Sequence, residues 1–298
     1  MNLSLQHSAM AAAIADHLSV RLRSAPASRV HGGSINECYR WESDSGPVFV
    51  KTAPAGSIAM FEAEAAGLEE LQNARSIRVP RVLHVGHNAD VAWLVLEWIR
   101  IGPVSRSTDC LLGEQLAKQH RVTAATFGWH RSNTIGSTPQ LNDPADDWIR
   151  FYRDRRLRFQ LELAATHGHG GLLQQRGAEL LEHIGQFFQG YRPVPSLLHG
   201  DLWGGNRAAD ERGQPVVFDP AVYFGDREAD LAMTRLFGGF GAEFYRAYAA
   251  AWAPDAASAA RTDLYNLYHV LNHLNLFGAG YLGQALSMIE RLLEHVGR

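Results

Sequence analysis

The stretch His199-Gly200-Asp201-Leu202-Trp203-Gly204-Gly205-Asn206, followed thirteen residues later by Asp219 at the end of the apolar run Val216-Val217-Phe218, decides how this chain is read. A second apolar run, Ser196-Leu197-Leu198, leads into it, so each acid stands where a short buried strand gives way to a loop. Asp, Asn and Gly populate turns for reasons of their own, and Asp-x-x-x-x-Asn alone is as readily a turn as a site. His-Gly ahead of Asp201, an apolar strand before each half and an acid closing the second strand make the combination far more specific. Asp219 and Asn206 offer hard oxygen donors, few in number, which suit Mg²⁺ because that ion keeps water and phosphate oxygens in its shell.

The spacing is that of a kinase catalytic loop, in which Asp201 would accept the proton of the acceptor hydroxyl while Asn206 and Asp219 hold Mg²⁺ beside ATP. Phosphoryl transfer spreads charge over the moving oxygens, so catalysis is mostly positioning and electrostatic stabilisation. It therefore asks the N-terminal part for an ammonium on a strand, a glutamate on the next helix and a turn over the phosphates. Val48-Phe49-Val50-Lys51 is that strand. Of the 28 basic residues only Lys51 and Lys118 are lysines, so a Lys marks a place where a compact ammonium, rather than a generic cation, is required. Glu64 is the expected partner because it shares a helical face with Leu68 and Leu71, whereas Glu62 points roughly 160° away. Gly32, Gly33 and Ser34 form the candidate nucleotide-covering loop, although without Gly-x-Gly-x-x-Gly spacing they read equally as a hairpin turn. Glu97, Trp98 and Ile99 stand where the adenine would lie, with backbone groups of Glu97 and Ile99 able to pair with the base.

Other nucleotide motifs fail. Gly46 to Thr52 has no Gly before its Lys and is a strand rather than a P-loop, and Gly238-Gly239-Phe240-Gly241 lacks the third glycine and preceding strand of a dinucleotide fingerprint. The histidines include no His-Glu-x-x-His, which disfavours zinc.

Around these residues the chain divides in character. Apolar positions at helical spacing predict an opening helix over 8–24. Two short strands follow around Asp44-Ser45-Gly46-Pro47, then an amphipathic helix over 57–74 and strands over 79–85 and 91–99. From about residue 109 the period is helical, with segments near 109–125, 144–166 and 172–190, interrupted by β-like pieces at 196–199 and 216–218. Helical signals resume at about 228. The expected architecture is α+β and two-lobed, protein-kinase-like: a strand-rich, nucleotide-binding N-lobe over 1–99 and a mainly helical C-lobe over 100–298, with Ile101-Gly102-Pro103 at the boundary.

Composition narrows the classes further. A chain of 298 residues that is 46% apolar can bury a large core, and a net charge of -3 supplies no basic field for nucleic acid. The longest apolar stretch, Val91 to Ile99, already contains Glu97 and is about half of a membrane span. Two cysteines, Cys38 and Cys110, make no disulfide framework, and the expected compartment is the reducing cytoplasm. Oligomeric state has no signature in the sequence.

The segments His199 to Asn206 and Asp219-Pro220-Ala221-Val222-Tyr223-Phe224-Gly225-Asp226-Arg227-Glu228-Ala229-Asp230-Leu231-Ala232-Met233 together closely resemble the fructosamine/ketosamine-3-kinases. Met60-Phe61-Glu62-x-Glu64 and Asn133-Thr134-Ile135-Gly136-Ser137 agree with the same family, so the resemblance covers essentially the whole chain. The broader aminoglycoside and choline kinase-like superfamily shares only the Asp-x₄-Asn core. The resemblance implies ATP- and Mg²⁺-dependent phosphorylation of the 3-hydroxyl of a ketosamine, a sugar adduct on a free amine or a protein lysine. It also implies that Trp203 faces the sugar, and that Asp226, Arg227 and Glu228 contribute to substrate binding. For that last run the mechanical alternative stays open: Asp226 would cap a helix starting near Arg227, and Asp230 would brace the catalytic loop. Family members often carry Cys where Ser34 stands, so a thiol switch at that position is not supported. A kinase of another small alcohol, such as an aminoglycoside or amino alcohol, and a non-catalytic nucleotide-binding protein are the competing readings. Keeping Lys51, Asp201, Asn206 and Asp219 together argues against the second, since a binding module has no need of a base.

Overall fold

The computed structural model describes residues 3–23, 25–26, 28–30 and 36–297. Helix α1 (Leu3–Leu18) ends earlier than its apolar spacing predicts: Ser19 turns to φ 55, and Leu22 bridges to Ser43 instead. Strands β1 (Ser28–Val30), β2 (Glu37–Trp41) and β3 (Val48–Pro54) follow, then helix α2 (Ile58–Ala74), then β4 (Val82–His87) and β5 (Val91–Glu97). The five strands form one antiparallel sheet in the order β1-β2-β3-β5-β4. Its two faces follow from strand parity. Trp41, Val48, Val50, Trp93 and Val95 pack with Met10 and Ile14 of α1, while Ala92, Leu94 and Leu96 turn to the opposite face and join Phe61, Leu68 and Leu71 of α2. Lys51 has the opposite parity to Val50, which sets it on the α2 side, where the partner glutamate must be.

The crossing segment carries β6 (Ile101–Gly102), and helix α3 (Arg106–His120) opens on a Ser105–Thr108 capping box. A small hairpin, β7 (Asn133–Ile135) and β8 (Thr138–Gln140), comes next. The expected helix over 144–166 is α4 (Trp148–Phe151), a π-helical stretch over Tyr152–Arg158 and α5 (Phe159–Thr166) in continuous succession. The π-helical stretch carries Arg156, wholly buried, with its guanidinium 4.2 Å from the centre of the Tyr223 ring and bonded to Leu141 O and Asn142 Oδ1. Helix α6 (Leu172–His183) passes into a 3₁₀ turn at Ile184–Phe188.

Strands β9 (Ser196–Leu198), β10 (Arg207–Asp210), β11 (Pro215–Val217) and β12 (Tyr223–Gly225) frame the loops of interest, and α7 (Glu228–Leu236), α8 (Ala242–Ala251), α9 (Ser258–Phe277) and α10 (Leu282–His295) complete the lobe. β9 pairs antiparallel with β12, and β10 pairs with both β11 and β6. The segment that leaves the N-terminal sheet is thus tied into the catalytic-loop sheet as soon as it crosses. One apolar core runs from α2 and β5 through α3, β9, α7 and α9, so the two lobes share a core; among the described residues the α1 face of the N-terminal sheet has a separate one.

Candidate active site

Between β9 and β10 the chain makes a loop whose shape is over-determined. Gly200 has φ +84, and a Cβ there would lie 2.0 Å from Ala221 O, so no other residue fits without moving the chain after Asp219. The amides of His199 and Gly200 donate to the Asp230 carboxylate at 2.8 and 2.9 Å, and His120 Nε2 joins it at 3.2 Å. Burial alone would push the Asp230 carboxyl up, but the hydrogen bond and charge of His120 lead the contributions that hold it below the usual range. His199 Nε2 lies 3.1 Å from Phe218 O while Nδ1 accepts from the Asp201 amide at 3.3 Å, which fixes the neutral Nε2–H tautomer and clips the loop to the end of the second strand. Asp230, read from sequence as a possible brace, is that brace.

Asp201 and Asp219 are linked through Asn206. Its Nδ2 donates to Asp201 O at 2.9 Å and Asp201 Oδ2 at 3.0 Å, with a longer contact of 3.4 Å to Asp219 O. Its Oδ1 receives no hydrogen bond from the described residues. Asp219 has φ 57, a left-handed conformation that Asp tolerates better than most residues, and its side chain is 42% exposed to the cleft. Burial, and next the negative charge of Asp219, push the Asp201 carboxyl up to about 7.

Lys51 Nζ reaches this pair from above, 2.5 Å from Asp219 Oδ1 and 2.5 Å from Glu64 Oε1. Burial pulls its pKa down, yet the Asp219 and Glu64 carboxylates more than offset that and keep the ammonium charged well beyond neutrality. Glu62 is exposed on the other side of α2, 3.9 Å from Arg131. Cys38 is paired with Lys51 across β2 and β3 and lines the same cleft; burial pushes its thiol up to about 11, so it is protonated at neutral pH and is a poor nucleophile.

The floor and far wall come from the C-lobe. Asn133 Nδ2 donates to Val222 O at 2.8 Å and Gln140 Nε2 to Ala221 O at 3.0 Å, pinning the β7–β8 hairpin against the strand that follows Asp219. Trp203, 36% exposed, folds back over Gly205, where any Cβ would collide with the indole. Opposite it stand His269, Asn272, His273 and Phe277 of α9. These α9 residues escaped the sequence reading, although His269, His273 and Phe277 recur every four residues and so share one helical face.

Several expectations change. Asp226, Arg227 and Glu228 do not reach the cleft. Asp226 accepts from Tyr191 OH at 2.8 Å, Tyr265 OH at 2.5 Å and the Glu228 amide at 3.1 Å. Arg227 donates to Trp252 O and Ala253 O, and Glu228 pairs with the fully buried Arg261 at 2.7 Å. All three are buried, so the mechanical alternative replaces the substrate role. The Glu97 amide, one of the backbone groups expected to pair with the base, already donates to Arg81 O, and the Glu97 carboxylate takes Arg78 at 2.8 Å. Trp98 and Ile99 line a separate depression with Arg78, Asp210 and Arg212, where the Trp98 ring lies against Phe49 and Arg40. Gly32, Gly33 and Ser34 lie outside the described residues. Among those residues no group of three or more His, Cys, Asp or Glu could hold a metal, and no helix is long and apolar enough to cross a membrane.

A two-lobed fold that sets a strand lysine and a helix glutamate above an Asp-x₄-Asn loop and a second acid defines a phosphotransferase of the protein-kinase-like class. Solved structures agree: a candidate fructosamine-3-kinase from Haemophilus somnus superposes with TM-score 0.88 at 25% identity, over 98% of this chain and 100% of that one. The streptomycin–ATP complex of the aminoglycoside phosphotransferase APH(2")-IIa, at TM-score 0.62 and 14% identity over 98% and 97% of the two chains, shares the fold. The fructosamine kinase family model matches residues 6–295, and the chain belongs to that family. It is 43% identical over 266 residues to a probable ketoamine kinase from Synechocystis, covering 89% of each chain. It is also 43% identical over 268 residues to a chloroplastic protein-ribulosamine 3-kinase from Arabidopsis thaliana, covering 89% of this chain and 82% of that one.

Proposed function

We propose that this kinase transfers the γ-phosphoryl group of ATP to the 3-hydroxyl of ketosamines, the adducts of reducing sugars on free amines or protein lysines, and so starts their removal. The observation that carries this reading is the convergence of Lys51, Glu64, Asp201, Asn206 and Asp219 on one cleft whose other lining residues, among those described, include no Asp, Glu, Lys or Arg and bring Trp203, His273 and Phe277 together on one side. Asp201 takes the proton from the attacking hydroxyl, for which a carboxyl held near pH 7 is well matched. Lys51 binds phosphate oxygens, and Glu64 keeps its ammonium in place. Asn206 Oδ1 and the exposed Asp219 carboxylate are hard oxygen donors that fit Mg²⁺. When bound there, that ion would neutralise charge on the phosphates. Trp203 packs its indole against the C–H face of the sugar.

The carboxylates lining the cleft favour this reading over an aminoglycoside kinase. Among the described residues they are Glu64, Asp201 and Asp219, each assigned above to the phosphate or the proton transfer, which leaves no further lining carboxylate to hold a polycation. Two free cysteines, one beside the nucleotide site, suit the reducing cytoplasm.

The product tests the proposal. Loss of the C1 proton gives a C1–C2 enaminol, which expels phosphate from C3, and hydrolysis of the resulting imine frees the amine. Mass spectrometry of a glycated lysine peptide treated with enzyme, ATP and Mg²⁺ should show transient gain of phosphate and then regenerated lysine. A lasting phosphate adduct, or phosphate placed only on unglycated alcohols, would overturn the reading.

A further inference from the structure

A strip of aromatic rings leaves the cleft beside Asp201 and runs outward to solvent. The Trp203 ring meets Phe237 edge-on at 6.1 Å, Phe237 meets His273 at 4.7 Å, and His273 meets Phe277 at 5.3 Å and Tyr281 at 5.2 Å. His273 and Phe277 line the same cleft as Asp201, and Phe277 is 52% exposed, an unusual position for a ring that size. His273 also has a fixed tautomer. Its Nδ1 lies 2.8 Å from His269 O, a carbonyl that can only accept, so Nδ1 carries the hydrogen and Nε2 is left with its lone pair. Burial lowers the pKa of His273 and takes that of His269 down to about 3, so the wall is uncharged at neutral pH.

Resting on the ketosamine reading above, we propose that His273, Phe277, Phe237 and Tyr281 form the subsite for the substrate's amine: aromatic faces receive the secondary ammonium and its alkyl arm, and His273 Nε2 accepts one ammonium N–H. The substrate's own geometry supports the placement. The nitrogen on C1 is four bonds from the 3-oxygen that must sit at Asp201, so the amine lies within one ring's width of the phosphorylated centre. Cations bind to aromatic faces without a carboxylate, and an acid here would compete for Mg²⁺ and for Lys51. The strip's exposed end at Phe277 gives the arm a path out of the cleft, which an amine carried on a protein surface needs.

The experiment compares two probes, a fructosyl-butylamine and the neutral 1-O-butyl fructose ether, in wild type, Phe277→Ala and His273→Leu, with KM for ATP measured alongside. Wild type should favour the amine. Each variant should raise KM for the amine about fivefold, the effect of losing one exposed cation–π contact or somewhat more for the charged hydrogen bond, while the ether, which shares the alkyl arm but not the charge, rises clearly less, by about twofold, and KM for ATP shifts less than about twofold. His273→Gln, which keeps an acceptor, should recover part of the loss. Equal rises for amine and ether would reduce the strip to plain apolar packing and overturn the proposal, as would no rise for either. Failure of the wild type to phosphorylate the fructosyl-amine at all would instead remove the functional reading on which the subsite depends, and is seen before any variant is made.

Discussion

Replacing Asp201 by Asn tests the electrostatics of the cleft without any substrate. Without ligand, burial and next the charge of Asp219 penalise the ionised form of the Asp201 carboxyl and push it up to about 7 from its ordinary value of 3.8. Between those values the folded state holds a proton that the unfolded chain has released, so ionising Asp201 costs stability as pH rises through the window. A tenfold change in an ionisation constant is worth about 1.4 kcal/mol, so the rise from pH 5 to about 7 would cost about 3 kcal/mol for a fully enclosed group. Asp201 retains part of its surface in the cleft, so about 2 kcal/mol is the expected size. Asn cannot titrate, and all other groups are common to both proteins. The stability of Asp201→Asn minus that of wild type, from urea unfolding without nucleotide or Mg²⁺, should therefore grow by about 2 kcal/mol from pH 5 to pH 7 and stay level above. A difference that varies by less than about 0.5 kcal/mol across that range would refute the raised pKa, and with it the account of Asp201 as a base tuned to neutral pH. The same variant should bind ATP normally and lose about 10²–10⁴-fold in kcat.

Lys51→Met leaves Glu64 buried without its cation; it should raise KM for Mg·ATP, lower kcat and cost about 3–5 kcal/mol of stability, measured by steady-state kinetics and unfolding. Asp230→Ala removes the acceptor of two loop amides and should lower kcat at least tenfold, with about 3 kcal/mol lost on unfolding and little change in nucleotide Kd. Gly200→Ala forces a Cβ against Ala221 O at a positive φ, so kcat and Tm should fall together, whereas Gly204→Ala, which meets nothing nearer than 3.9 Å, should leave Tm nearly unchanged.

Much of the fold could be read in advance because its decisive features are local. The β3 strand, helix α2 and the strands flanking the catalytic loop each carry their own period and end where Gly, Pro or Asp changes the backbone. The choice of Glu64 over Glu62 needed only the helical pitch and the apolar face marked by Leu68 and Leu71, and Glu64 is the residue that meets Lys51. Helix ends were less legible. The opening helix stops at Leu18, where Ser19 turns to φ 55 and the chain goes on to a bridge between Leu22 and Ser43, twenty-one residues away, which no local pattern announces. The π-helical stretch over Tyr152–Arg158 reads as plain helix in the sequence, because the contacts that mark it out, Arg156 against rings from β12 and α9, lie more than sixty residues away.

The site divides along the same line. That Asp201, Asn206, Asp219 and Lys51 converge on one cleft was legible because the spacing is the one a phosphoryl-transfer site would ask for. Asp226, Arg227 and Glu228 were misread for a related reason: charged residues close behind a catalytic loop resemble substrate contacts until their partners are known. Those partners are Tyr265 and Arg261 of α9, Tyr191 beyond the 3₁₀ turn and the carbonyls of Trp252 and Ala253 just past α8, all distant in sequence. A buried charge survives only when such partners are present. Three consecutive charged residues, each fully satisfied at a helix start, therefore hold α7 at a fixed angle, and α7 carries Asp230 to the His199 and Gly200 amides. Asp226, Arg227 and Glu228 thus bear on the proposed site at one remove, by fixing the helix whose Asp230 holds the loop that carries Asp201.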